Sequence, residues 1–514
     1  MLKGRSSGLL LPIFSLPGDY GIGTMGSGAR QFIDFLAQAR QHTWQILPLV
    51  PPGSGDSPYM SPSAFAGSPW LLDLEEFVQR GLLTREELDT ARYPDPDRVD
   101  YNWLRENRPS LLHAAWRRDT DTAARAAFLK EQADWLPDHA LFSAIHEKLN
   151  LPLDQWPDDI RRREPEAMAR WSQDLADEVD YLVFLQYHFF RQWKDLKAYA
   201  NQKGIAIMGD LPIYVSADSV EVWAQPQLFQ MDEDFVPTAV AGVPPDAFSD
   251  VGQYWGNPLY DWAGHRAELF DWWTRRLRNA ALLYDRLRID HFRGFHTYWA
   301  IPASSSVAKD GRWEKGPGQA LLDHFAKEVP QLELIAEDLG VLDDDVWQFI
   351  HNSGIPGMKI LVFAFDPNGE SSYLPHNCPR ESVVYTGTHD TPTFVQWLFD
   401  EATPAERDFA SDYLRLRADG ASAGGLSAAP GCAPAPWPSP HSRMCWAWAQ
   451  TPGSTSPVPP ALSTGPGGSA PPPSTRTSPA SWPTSPGPTA GAKDTFIHKN
   501  EALPVRESAS FSYK

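Results

Sequence analysis

Between Gly204 and about Leu416 the chain repeats one pattern: a strand-length apolar run, a polar cluster, then a helical stretch. The runs are Ile205 to Met208, Arg286 to Ile289, Leu332 to Ala336, Met358 to Phe363 and Ser382 to Tyr385. Several end in charged or hydroxyl residues: Gly209-Asp210, Asp290-His291, Glu337-Asp338 and Gly387-Thr388-His389-Asp390. Repeated β-then-α segments imply a parallel sheet with right-handed crossovers. Polar clusters at the carboxyl ends of strands are where a barrel of this kind keeps its chemistry. A doubly wound open sheet is the alternative. It usually carries a Gly-rich phosphate loop after its first strand, and the chain is read as having no GxGxxG or GxxxxGK(S/T) loop, which favours the barrel. The expected fold class is α/β, a TIM (β/α)8 barrel with helical insertions.

The flanks differ in texture. Residues 1–70 hold Gly/Pro turns, a helical pattern from Gly28 to Arg40, a strand from Thr43 to Leu49 and a loop rich in Pro, Gly and Ser. Residues 71–203 read as a mostly helical, charged insertion, with Tyr181 to Lys194 apolar on one side as in a helix packed on a core. Residues 1–416 together are read as one catalytic barrel with insertions.

Composition narrows the partners. A net charge of -20 repels phosphate backbones and makes nucleic acid an unsuitable partner. No run of apolar residues is long enough to span a membrane, and Met1-Leu2-Lys3-Gly4-Arg5 does not open a secretory signal. Cys378, Cys432 and Cys445 lack metal-ligand spacing. The expectation is a cytoplasmic monomer with no cofactor and no metal. The 21 tryptophans serve either core packing or stacking on sugar rings, and composition does not choose between the two.

Three strand ends each offer a carboxylate. Arg288 and Asp290 are two apart on a strand and share a face. The cation then holds Asp290 ionised, as a nucleophile must be; the other reading is a salt bridge that only closes the barrel end. Glu337 ends an apolar strand, where desolvation raises its pKa and makes it a proton donor; a solvated strand terminus is the alternative. His389-Asp390 sits in a small loop, and Asp390 is otherwise the cap of the next helix. Together the three match glycosidic bond cleavage: one carboxylate attacks, one acid protonates the leaving oxygen, and a third holds the sugar. Two loops are candidates to cover the site: Gly55-Asp56-Ser57-Pro58-Tyr59, and the long aromatic stretch from Pro244 through Phe248, Trp255 and Pro258.

Over about Gly8 to Leu416 the sequence resembles the 4-α-glucanotransferases of glycoside hydrolase family 77, the amylomaltases or disproportionating enzymes. The motifs are Ser15-Leu16-Pro17-Gly18-Asp19-Tyr20-Gly21-Ile22-Gly23, Trp44 to Leu49, Asp56-Ser57-Pro58-Tyr59, Ser63 to Gly67, Gly209 to Val215, Gly242 to Asp246, and Arg288-Ile289-Asp290-His291-Phe292-Arg293-Gly294-Phe295. The resemblance implies a retaining transfer of α-1,4-glucan segments between maltooligosaccharides. Asp290 matches the nucleophile, Glu337 the acid/base and Asp390 the transition-state stabiliser. Arg288, His389 and Asp210 match donor-sugar contacts; Ser57, Tyr59 and Trp255 lie near the acceptor path, and His291 joins them as a substrate contact. The third motif departs from the family, since Thr391 and Pro392 follow Asp390. An α-glucan hydrolase with the same carboxylates, or an inactive glucan-binding remnant, is the alternative.

From Ala421 to Ala492 the texture changes sharply. The segment holds 17 of the 48 prolines and has no Asp, Glu, Lys, Ile, Phe, Tyr or Asn. Such a composition is expected to stay disordered. Residues 417–514 read as an out-of-frame translation of a GC-rich gene. Shifted by one base, Pro438 to Pro459 can encode Ala-Val-Ala-Pro-Leu-Gln-Asp-Val-Leu-Gly-Leu-Gly-Pro-Asp-Ala-Arg-Ile-Asn-Val-Pro-Gly-Thr, which is similar to the family's eighth-strand region. The expected consequence is an eighth strand missing or corrupted, two unpaired sheet edges, and a poorly soluble or inactive chain.

Overall fold

The computed structural model describes residues 6–416, apart from 96–97, 247–248, 341 and 369–370, together with the backbone of Cys445–Ala449. The strands in chain order are β1 (Ser6–Leu10), β2 (Thr43–Gln45), β3 (Ala206–Leu211), β4 (Ala239–Val243), β5 (Gln253–Pro258), β6 (Arg286–Ile289), β7 (Thr297–Pro302), β8 (Arg312–Lys315), β9 (Glu333–Ala336), β10 (Gly357–Ile360), β11 (Ser382–Tyr385) and β12 (Cys445–Ala449).

Eight of them form one sheet in the order β10-β11-β12-β1-β2-β3-β6-β9. The pairs β1/β2, β2/β3, β3/β6, β6/β9 and β10/β11 are parallel. The two ends of the order approach each other, and the Ala336 N–H donates to the Pro356 carbonyl at 2.8 Å. The expected runs at Arg286–Ile289 and Ser382–Tyr385 are strands over those same residues. The run at Met358 is a strand only to Ile360, and Leu361–Phe363 turns into a 3-10 segment. The strand at Thr43 stops at Gln45, and the chain then runs irregularly through Pro48, Pro51 and Pro52, which have no N–H to give a ladder.

Three readings need correction. The aromatic stretch ending at Pro258 is partly a strand: β5 pairs with β4 in a second, antiparallel sheet ordered β5-β4-β7-β8. Ala247 and Phe248 of that stretch lie outside the described residues. A GxGxxG spacing does occur, at Gly21-Ile22-Gly23-Thr24-Met25-Gly26, ahead of helix Ser27–Gln38. It is no phosphate cradle, because the Asp73 carboxylate packs where a Gly26 side chain would stand, 2.6 Å from that point, and would repel an anion. Thirdly, the place between β11 and β1 is filled: β12 pairs antiparallel with both. It uses the longest apolar run of the proline-rich segment, so the expected pair of open edges is not what the sheet shows. Pro438 to Ser442, and the rest of 417–514, lie outside the described residues.

The insertion is built on helix Ala176–Gln202, whose buried positions Tyr181, Phe184, His188, Trp193, Leu196 and Ala200 recur at helical spacing. Trp193 donates its indole N–H to the Leu283 carbonyl at 2.8 Å. Lys197, one turn further, donates to the carbonyls of Ala281, Leu282 and Tyr284 at 3.1–3.3 Å. These carbonyls end helix Arg266–Leu283, which delivers the chain into β6. A cation there satisfies free carbonyls and opposes the negative end of the helix dipole. Trp44, Trp193, Trp223 and Trp273 are among the largest fully buried side chains, so these four tryptophans serve packing. Lys197→Met is expected to cost about 1–2 kcal/mol, read as a lower urea midpoint with an unchanged slope.

Candidate active site

The parallel register of β3 and β6 sets Asp210 opposite Arg288. Both side chains point to the same face and both are buried. Arg288 Nη1 lies 2.7 Å from Asp210 Oδ1, and Nη2 lies 2.9 Å from Asp290 Oδ1. Its third nitrogen, Nε, donates to the Met358 sulfur at 3.3 Å. Asp290 follows the last residue of β6, and its N–H donates to the Leu211 carbonyl at 3.0 Å, which ties its backbone to β3.

The loop after β2 brings in Tyr59. Ser57 accepts the Tyr59 N–H at 3.2 Å and caps the turn Pro58–Met60. The Tyr59 hydroxyl donates to Asp210 Oδ2 at 2.7 Å and lies 2.7 Å from His389 Nε2. With the phenol proton committed to Asp210, that second contact calls for an N–H on His389 Nε2. The same nitrogen is 3.2 Å from Asp390 Oδ2. Asp390 does not cap the following helix; Thr393 does, accepting from the Gln396 N–H.

Glu337 follows β9. Its Oε2 accepts the His291 N–H and its Oε1 the Leu339 N–H, both at 2.8 Å. His291 reaches this position by adopting left-handed backbone angles, φ 48° and ψ 48°, a conformation open to His more than to most residues. Its ring meets Trp255 edge-on, with centroids 4.8 Å apart. The sequence-predicted residues fall into two contact groups, Asp290, Arg288, Asp210, Tyr59, His389 and Asp390 in one and Glu337, His291 and Trp255 in the other, adjoining where Asp290 precedes His291. Ser57 enters as the cap that presents Tyr59.

Residues 11–443 match the family model described as 4-alpha-glucanotransferase. The chain belongs to the 4-alpha-glucanotransferase family. It is 47% identical over 419 residues to a 4-alpha-glucanotransferase of Thermus thermophilus, covering 80% of this chain and 83% of the relative. It is 42% identical to the chloroplastic/amyloplastic enzyme of Solanum tuberosum, over 80% and 73% of the two chains. Among solved structures it is similar to the amylomaltase of Streptococcus agalactiae in complex with acarbose, with a TM-score of 0.79, 42% identity, and 82% and 87% coverage of the two chains.

Electrostatics correct one expectation for this 4-alpha-glucanotransferase. Arg288 was to lower the pKa of Asp290; instead burial pushes the Asp290 carboxyl up to about 8, Arg288 pulls the other way, and Asp210, Glu337 and Asp390 add to the rise. One cation among four acids does not offset the loss of water. Burial also raises Glu337, opposed by Arg288 and by its two backbone N–H donors, in the direction expected. Burial, then the charge on Asp210, keeps Tyr59 well above its ordinary value, so it remains a donor. Burial holds the His291 imidazole down at about 3, and Arg293 adds to this, so the ring is neutral.

Met358 and Lys359 went unread. Lys359 interrupts an otherwise apolar run, and that break in the pattern was the available signal. No helix among the described residues is long and apolar enough to cross a membrane. Arg288→Met leaves the buried Asp210 and the half-buried Asp290 without their cation and is expected to cost about 3–5 kcal/mol at pH 7, measured by denaturant titration, with loss of turnover.

Proposed function

We propose that this family member transfers α-1,4-glucan segments between maltooligosaccharides by a retaining double displacement. Asp290 attacks the anomeric carbon while Glu337 gives its proton to the departing glycosidic oxygen. Glu337 then takes the proton of an incoming sugar hydroxyl, whose oxygen displaces Asp290 and breaks the ester. Asp390, Arg288, His389 and Asp210 hold the donor sugar; Ser57, Tyr59, Trp255 and His291 shape the acceptor side. The observation that carries the reading is the difference between two acids: Asp290 is in direct contact with Arg288, whereas Glu337 is oriented by two backbone N–H groups and meets Arg288 only as a through-space charge. When the pair shares one proton, the charge rests on Asp290 and the proton on Glu337.

The sheet, read with the approach of β9 to β10, supports a closed barrel of the (β/α)8 kind, acting as a cytoplasmic monomer on neutral glucans. Maltotriose tests the reaction. Because β12 pairs with β1 and β11, inactivity from open sheet edges is no longer expected, and the 514-residue chain should give glucose together with maltotetraose and longer products. Glucose and maltose alone would make it a hydrolase, and no products would end the proposal.

The pH profile is bell-shaped on this reading. Below both pKa values the pair is doubly protonated and lacks a nucleophile; above both it lacks an acid. The alkaline limb is expected to fall as the pair loses its last proton, above the ordinary carboxyl range because burial raises both acids. Glu337→Gln removes that limb and lowers kcat by about 10²–10⁴-fold.

We infer, too, that residues 417–514 are an out-of-frame translation. An antiparallel β12 supports this, because a βα repeat returns each strand parallel to the last. Resequencing the gene is expected to reveal a single inserted or deleted base near codons 417–437. An intact reading frame there overturns the inference.

A further inference from the structure

We propose that Asp338 is a positioning residue that bolts β10 to the strand end carrying Glu337. The proposal rests on the reading of Glu337 as the acid/base. Among the described residues, β9 and β10 have no ladder between them; the Ala336–Pro356 hydrogen bond is the main-chain link. Where the next rung would come, the chain turns away to place Glu337 at the site. The Asp338 side chain takes over that rung. Its Oδ1 accepts the Met358 N–H at 2.6 Å, and its Oδ2 lies 3.2 Å from Lys359 Nζ.

The fit is close on every side. Asp338 and Lys359 are 4% and 3% exposed. The Lys359 ammonium sits 5.1 Å from the ring centre of Trp347 and 5.3 Å from that of Tyr373. A side chain on Gly357 would stand 2.3 Å from Asp338 Oδ2, so this strand must begin with glycine to admit the carboxylate. Asp338 lies between Glu337 and Leu339, and Leu339 supplies one of the two N–H groups that orient the Glu337 carboxyl. Loosening Asp338 therefore frees the acid. Arg288 is affected less, because Asp210 holds it at 2.7 Å and its contact to the Met358 sulfur is weak.

This separation gives the test. Cleavage of maltotriose needs a proton on the leaving oxygen; α-maltosyl fluoride loses fluoride as an anion and does not. Asp338→Asn in the full chain is expected to lower kcat on maltotriose at least tenfold, with KM within twofold. First-turnover fluoride release should stay within threefold of the parent. Lys359→Met, which keeps Asp338 as acceptor of the Met358 N–H, should show the same split more weakly, and it decides the matter if Asp338→Asn does not fold. Equal losses on both substrates, or no loss on maltotriose, overturn the proposal. Glu337→Gln run beside them separates the two readings: if it shows the split and the others do not, only the bolt fails. If Glu337→Gln keeps its maltotriose rate, the acid assignment itself fails.

Discussion

A guanidinium buried between two strands constrains much of this site. Arg288 is 3% exposed, and an unpaired charge at that depth would be prohibitively costly. Its partner is Asp210, directly opposite in the parallel ladder of β3 and β6. A slip of one residue would set Arg288 opposite Gly209 or Leu211 and turn it to the other face. The ion pair thus fixes the register. The register in turn places Asp290 beside the free Nη2. One side chain therefore pins two strands and also meets the carboxylate of Asp290.

The rest of the cluster extends from that point. Asp210 spends its second oxygen on Tyr59, Tyr59 meets His389, and His389 meets Asp390. Four acids gather around one cation, with Asp210 buried and the others partly open, and Asp290 and Glu337 respond by holding protons more tightly. In an ordinary core this would be a defect. On the proposed reading it lets the pair of acids hold a proton near neutrality.

The legible parts of the fold were those whose local chemistry agreed with their tertiary role. β6 and β11 are apolar runs bounded by polar residues, and their limits were read directly. β1 went unread because Ser6, Ser7 and Gly8 mask a short strand, with Gly8 held by the close approach of Thr43. The antiparallel sheet was hidden in the same way. β5 contains Gly256 and Pro258, and β8 is Arg-Trp-Glu-Lys, so both read as loop until cross-strand pairing supplies the reason for extension. The site residues were found from their motifs, but not their balance of charge: spacing showed that Arg288 adjoins Asp290, whereas the depth of burial that outweighs it comes only from the packed structure.

Strand pairing beside β1 and β11 and construction of the site are separable. Tyr59, Asp210, Asp290, Glu337 and Asp390 follow or end β2, β3, β6, β9 and β11, each at its carboxyl end. None belongs to β12. An antiparallel strand can satisfy the hydrogen bonds of β1 and β11 as a parallel one would. It does so with its direction reversed, so Cys445, its first residue, lies beside Leu10 at the catalytic end of β1. That position therefore supplies pairing for its neighbours, and every member of the charge network lies before Leu416 in the chain.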